Sequence, residues 1–216
     1  ARCVDSALAQ IGVQVRVLIT DDTSTDGSLD EARRIAGQDP RVSVMAHPVN
    51  KGHIATYNDG IGWASAPYMV LLSADDLLAP LALSRSVALM EAQPRVGFVY
   101  GSLCEFDDSE QNEVAETVLA RDAGDAAAVV AGHDFIAELC RKPWNPVPAS
   151  GVIVRTALQQ RVGGYLPELR HAGDMEMWLR LAAHADVGIL TAPTALTRIH
   201  TTNMRHEYNA DGAIPD

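Results

Sequence analysis

Cysteine is scarce and unpatterned in these 216 residues: Cys3, Cys104 and Cys140 are odd in number, far apart and outside any CxxC arrangement. That excludes a disulfide framework and a zinc ribbon, and the three read as packed thiols. The seven histidines include no HExxH and no helical i,i+4 pair of the kind that binds zinc. Positive charge is short as well. Seventeen Lys and Arg stand against 28 Asp and Glu, a formal net charge of -11, which opposes the many phosphate contacts of nucleic-acid binding. No apolar run reaches the roughly 18 residues of a membrane-spanning helix, and no basic n-region precedes an apolar stretch. The expected location is therefore cytoplasmic, with peripheral association at the inner face of the membrane as the alternative. GxGxxG and GxxxxGK[ST] are both absent, so dinucleotide-binding and P-loop readings lose their main support.

What the chain does have is a recurring pairing of apolar runs with carboxylates. Tyr68–Leu72 is apolar without alternation, as in a strand covered on both faces, and it exits through Ser73 and Ala74 into Asp75 and Asp76. Val15–Ile19 likewise runs into Asp21 and Asp22. In open α/β sheets ligands sit outside the carboxyl ends of strands, so carboxylates there are placed to work on something. A solvated turn with an Asp helix cap ahead of Pro80 is the structural alternative.

Strands and helices alternate through the first half. A strand within Val13–Asp22 precedes a helix with a Ser28/Glu31 capping box. Arg41–His47 is a strand, and a helix carries Ile54, Tyr57 and Ile61. After the Tyr68 strand, a helix follows Pro80 and ends by Pro94, and Val96–Gly101 is again a strand. This spacing predicts a doubly wound, mainly parallel sheet with helices on both faces. The reading is one domain over 1–216. Later, Asp122–Gly132 is Ala-rich and reads as a connection or short helix, and Val152–Val154 is a strand. Gly173–His184 is an amphipathic helix whose apolar face is read as Met175, Trp178, Leu179 and Ala182, with Asp174 and Glu176 in its first turn. Adjacent like charges at a strand end repel unless a cation neutralises them. Mg2+ or Mn2+, which use a few carboxylates plus substrate phosphates, would let this acidic chain hold a phosphorylated ligand.

Four segments in order, "VLITDDTSTDGS", "NKGHIATYNDGI", "YMVLLSADDLLAP" and "GDMEMWLRLA", resemble a family 2 inverting glycosyltransferase of the GT-A fold. The resemblance implies a donor half over roughly 1–102, an acceptor half over 103–216, a nucleoside-diphosphate sugar donor, preferentially a UDP-sugar, and a hydroxyl acceptor of unknown identity. It implies that Asp21 and Asp22 contact base and ribose, that Lys51, Asn58 and Asp75 lie on the donor side, that Asp76 and His200 serve Mg2+ or Mn2+, and that Asp174 is the catalytic base. Asp76 is expected in a loop outside the core, and the helix N-terminus is expected to keep Asp174 ionised. Ser73 stands where relatives carry the first aspartate of the acidic motif, and Gly173 replaces an acidic residue before the base. The family's first strand is not found, because residues resembling the helix after it begin at Cys3. Either the sequence is a piece of a longer chain, less stable without that strand, or the donor site is incomplete. Alternatives are a glycosyltransferase-like nucleotide-binding protein without turnover, a receiver-like signalling domain and a nucleotidyltransferase.

Overall fold

The computed structural model describes residues 1–107, 126–142, 144–169 and 172–200. In chain order the elements are α1 (Arg2–Leu8), β1 (Val17–Asp21), α2 (Ser28–Gln38), β2 (Val42–Ala46), α3 (His53–Trp63), β3 (Tyr68–Val70), β4 (Leu77–Leu78), α4 (Ala82–Ala92) and β5 (Val96–Tyr100). There follow β6 (Glu105–Phe106), β7 (Ala127–Val130), α5 (Gly132–Arg141), β8 (Ile153–Arg155), α6 (Thr156–Val162), α7 (Gly173–Ala182), β9 (Asp186–Leu190) and β10 (Ala195–Arg198).

The main sheet has the order β3-β8-β5-β9-β7, and β5, buried at every position, is its centre. Phe98 and Tyr100 face one side, where Phe135 and Leu139 of α5, Met177, Trp178 and Leu181 of α7, and Ile54 and Ile61 of α3 close the largest core. Val96 and Val99 face the other side against Met90 of α4. Helices thus cover both faces, as the alternation of strands and helices implies. β5 and β9 are parallel, but β8 enters antiparallel between β3 and β5, and β7 runs antiparallel to β9. The sheet is therefore mixed where the sequence pattern suggested mainly parallel pairing, because strands of the second half insert into and flank it.

The acidic strand ends do not share one ladder. β1 pairs with β2 in a separate parallel ribbon, and among the described residues β3 pairs only with β8. Val4 of α1 and Ile35 of α2 pack on Val42 of this ribbon. At the end of α1, buried Gln10 donates to Ala79 O and accepts from Leu83 N, and Ser6 Oγ accepts from Leu78 N. α1 thereby fastens the ribbon to the segment after β3. A third small sheet, β4-β10-β6, lies beside that segment.

Several local expectations change. β3 is three half-buried residues, not a central strand, because β8 pairs with only one of its edges. α2 starts from Gly27 at φ 84 with no side-chain cap; Asp26 takes the Ser28 N–H, and Glu31 pairs with Arg34 instead of closing a capping box. The Ala-rich stretch contains the strand β7, and its residues 122–125 lie outside the described residues. On α7 the buried face is Met177, Trp178, Leu181 and Ala182, rotated from the predicted stripe. Cys3 and Cys104 are half-buried and Cys140 is exposed.

The centre of the sheet tolerates no extra atom at Gly97. A Cβ there would lie 2.3 Å from Ala185 Cβ and 2.4 Å from Leu158 Cδ2. Gly97→Ala should therefore cost about 1–3 kcal/mol by overpacking, which lowers the melting temperature by roughly 2–4 °C per kcal/mol. Calorimetry on the variant checks this, and an unchanged melting temperature would contradict the packing.

Candidate active site

At the end of β1 the two aspartates have different duties. Asp21 is buried, and its Oδ2 accepts the N–H groups of Thr23 and Ser24 at 3.1 and 3.2 Å, shaping the turn in which Thr23 takes φ 69. Asp22 sits at the start of α3. Its Oδ1 accepts from Lys51 N at 2.8 Å, and its Oδ2 accepts from Gly52 N at 2.7 Å. The Lys51 N–H, then His47 and then the Gly52 N–H hold its carboxyl below the usual carboxylate range. His47 is buried with Nδ1 2.7 Å from Asp22 Oδ1 and Nε2 2.9 Å from Asp59 Oδ2. Lys51 Nζ is engaged with Asp59 at 3.0 Å.

The second pair divides as well. Asp76 is 5% exposed, not a loop residue outside the core, and its Oδ1 accepts from the backbone N–H of Arg198 at 2.9 Å. Asp75 faces outward and meets His200 Nε2 at 2.9 Å. Ser73 is tied to Ser150, whose hydroxyl lies 3.2 Å from Ser73 Oγ and accepts the Ser73 N–H at 3.3 Å. The Cys3 thiol donates to Ser73 O, and burial with the adjacent Asp76 charge pushes its pKa up to about 12, which leaves it an unreactive packed thiol.

The third cluster lies where α3 meets α7. Asn58 Oδ1 accepts the Tyr165 N–H at 2.7 Å, and Asn58 Nδ2 donates to Tyr165 O at 2.9 Å. Both amide ends of Asn58 are thus spent on the backbone of the loop before α7. Tyr165 sits beside the first turn of α7, where its Cδ1 would lie 3.4 Å from a Cβ at Gly173, next to Asp174. Burial pushes the Asp174 pKa up to about 6, and the neighbouring Tyr165 hydroxyl opposes the rise. The helix N-terminus was expected to keep this carboxyl ionised, but loss of solvent outweighs it. Glu176 forms a bidentate pair with Arg180, whose Nη1 and Nη2 also donate to Val162 O and Gly164 O.

α3 therefore connects the clusters: its N-terminus cradles Asp22, and further along Asn58 holds Tyr165, the neighbour of the first turn of α7. Tyr165 and His47 lie outside the motif segments. The Gly-Gly-Tyr sequence at 163–165 was the available signal for the first, and nothing marked the second. A separate cavity of about 730 Å3 lies at the opposite end of the sheet, by Arg95–Gly97 and Asp186, and contains none of these residues.

Asp75 and His200 converge, and a carboxylate with an imidazole suits Mn2+. Among the described residues no three His, Cys, Asp or Glu groups gather around a metal position. The pair fits a divalent ion whose remaining ligands come from phosphate and water, the habit of diphosphate-bound metals.

The glycosyl transferase family 2 profile matches residues 1–145, and the chain belongs to that family. Chondroitin synthase of Pasteurella multocida is 40% identical over 79 residues, 37% of this chain and 8% of its own. The succinoglycan biosynthesis protein ExoO of Rhizobium meliloti is 38% identical over 91 residues, 42% of this chain and 26% of its own. S. aureus TarS in complex with UDP has the same fold, with TM-score 0.69 at 16% identity, covering 92% of this chain and 56% of that one. Mannosyltransferase PcManGT from Pyrobaculum calidifontis, in complex with GDP-Man and Mn2+, superposes with TM-score 0.64 at 19% identity over 95% of this chain and 54% of that one. The chain thus spans about half the length of these solved structures, and they establish the GT-A architecture.

The two members of the second acidic pair should separate in stability. Asp76→Ala removes the acceptor of the half-buried Arg198 N–H, at a cost of about 1–3 kcal/mol, whereas Asp75→Ala at the more exposed position should melt close to the parent. Thermal unfolding of both variants checks this, and equal melting temperatures would contradict the division.

Proposed function

We propose that this chain is the catalytic domain of a glycosyltransferase that moves a sugar from a nucleoside-diphosphate donor, preferentially a UDP-sugar, to an acceptor hydroxyl with inversion at the anomeric carbon. Family membership supports the reaction class. The observation that carries the mechanism is Asp174, a half-buried carboxyl in the first turn of α7, beside Tyr165, with its pKa pushed up to about 6 by burial. A base titrating just below neutrality is ionised at working pH and still accepts a proton readily.

In the proposed step Asp174 takes the acceptor O–H proton while that oxygen forms a bond to the anomeric carbon. The carbon–oxygen bond to the diphosphate breaks, and its electron pair leaves with the nucleoside diphosphate. One displacement with one base inverts the centre. Asp75 and His200 would hold Mn2+ or Mg2+, which supplies neutralising charge to the diphosphate. PcManGT with GDP-Man and Mn2+, and TarS with UDP-GlcNAc, support a nucleotide sugar at this fold. The names chondroitin synthase and succinoglycan biosynthesis protein support a polysaccharide acceptor. Asp21 and Asp22 act on the donor by shaping the turn after β1 and the start of α3; both carboxylates are already bonded to backbone N–H groups. Asn58 acts through the Tyr165 loop.

A nucleotide-binding protein without turnover is the second reading, favoured by Ser73 at an aspartate position with its hydroxyl tied to Ser150. Turnover separates the two. With UDP-GlcNAc or GDP-mannose and Mn2+, nucleoside diphosphate release by Asp174→Asn should fall about a hundredfold to ten-thousandfold with donor affinity kept. Turnover within about threefold of wild type, far short of that penalty, would remove Asp174 as base. Mn2+-dependent thermal stabilisation by UDP should be lost in Asp75→Ala.

Stability gives an independent check. Asp174 has a folded pKa raised from 3.8 to about 6, so its stabilising effect is full below 3.8 and is lost as pH rises through about 6. Asp174→Asn removes that loss and should melt higher than wild type at pH 7–8. A lower melting temperature there would contradict the burial argument.

A further inference from the structure

Resting on the reading that the Asp21–Asp22 turn receives the nucleobase of the donor, we propose that His47 is a specificity-determining residue. By occupying one oxygen of Asp22 it leaves that carboxylate a single place for a base N–H, which selects uracil over guanine.

A carboxylate accepts about two hydrogen bonds at each oxygen. Asp22 Oδ1 takes the Lys51 N–H at 2.8 Å and meets His47 Nδ1 at 2.7 Å, which fills it. Among the described residues Oδ2 takes only the Gly52 N–H, at 2.7 Å. The Asp22 side chain keeps 18% of its surface exposed, so the carboxyl is within reach of a ligand.

His47 is held in this place through both main-chain groups and both ring nitrogens. Its N–H donates to Asp21 O at 2.9 Å, its C=O accepts the Thr23 hydroxyl at 3.4 Å, and its Nε2 lies 2.9 Å from Asp59 Oδ2. Asp59 is in turn paired with Lys51 Nζ at 3.0 Å. The His47 side chain is only 3% exposed. A buried imidazole fixed in this way resists swinging off Asp22 when a ligand seats.

The number of open places then decides the base. Uracil presents one N–H, at N3 between two carbonyl groups, and fits a carboxylate with one free place. Guanine presents N1–H and N2–H side by side and binds a carboxylate best through both oxygens at once, in the two-pronged manner of a guanidinium. With Oδ1 filled, the second guanine N–H has no acceptor there, and a polar group left unpaired in a site costs affinity.

The test is equilibrium binding of UDP and of GDP, each with Mn2+, to wild type and to two variants that keep a polar side chain at position 47. His47→Asn puts an amide N–H near the place of Nδ1, and His47→Gln puts one near the place of Nε2. Wild type should bind UDP more tightly than GDP, and His47→Asn should keep that preference. In His47→Gln the ratio of the two affinities should move toward GDP by about 5- to 30-fold. A ratio unchanged in His47→Gln, or moved equally in both variants, would overturn the proposal whether or not either variant melts lower. So would a wild type that does not prefer UDP. If Asp22→Asn keeps its UDP affinity, the donor-side reading of Asp22 fails and this proposal with it. Binding is read without turnover, so failure of Asp174 as base would leave this test standing.

Discussion

The two hydrogen bonds between the Asn58 amide and the Tyr165 backbone are the join on which the site depends. They cross from a helix of the first half to a loop of the second, over 107 positions in sequence. Gln160 Nε2 adds two more, donating to Ile61 O and Ala64 O at the end of α3. The apolar packing of Ile54 and Ile61 around them is not directional and sets distance better than angle. The Arg180 bracket on Val162 and Gly164 fixes the same loop from the α7 side.

Electrostatics explains why so many carboxylates coexist there. Asp21 and Asp22 are neutralised by backbone N–H groups at a turn and a helix start, and His47 lies between Asp22 and Asp59. Asp76 is consumed by the Arg198 backbone. Asp75 is paired with His200 in a partly exposed position. Like charges at strand ends are thus made compatible one at a time by local donors, as the repulsion between them requires.

Much of this could be read from sequence, for identifiable reasons. The helical periodicity of Ile54, Tyr57 and Ile61 located α3, and the run from Val96 located the buried central strand, because long periodic or apolar segments carry their own signal. The four acidic and glycine-bearing segments found the family. Pairing partners were not readable: β8 entering antiparallel beside β5 is a non-local choice, and β7 hides in an alanine-rich stretch with little strand signature. Nor could adjacency tell which of Asp75 and Asp76 turns inward, since that depends on β10 arriving from 122 positions later. The raised Asp174 pKa was missed because the helix dipole is visible in sequence and the burial that outweighs it is not.

The most direct measurement is a crystal structure of the protein with Mn2+ and a non-hydrolysable UDP-sugar analogue. The account predicts the metal and diphosphate at Asp75 and His200, the nucleobase near Asp21 and Asp22, and the anomeric carbon facing Asp174 with room for an oxygen nucleophile between them. A sugar turned away from Asp174, or a nucleotide lodged in the cavity by Arg95 and Asp186, would contradict it.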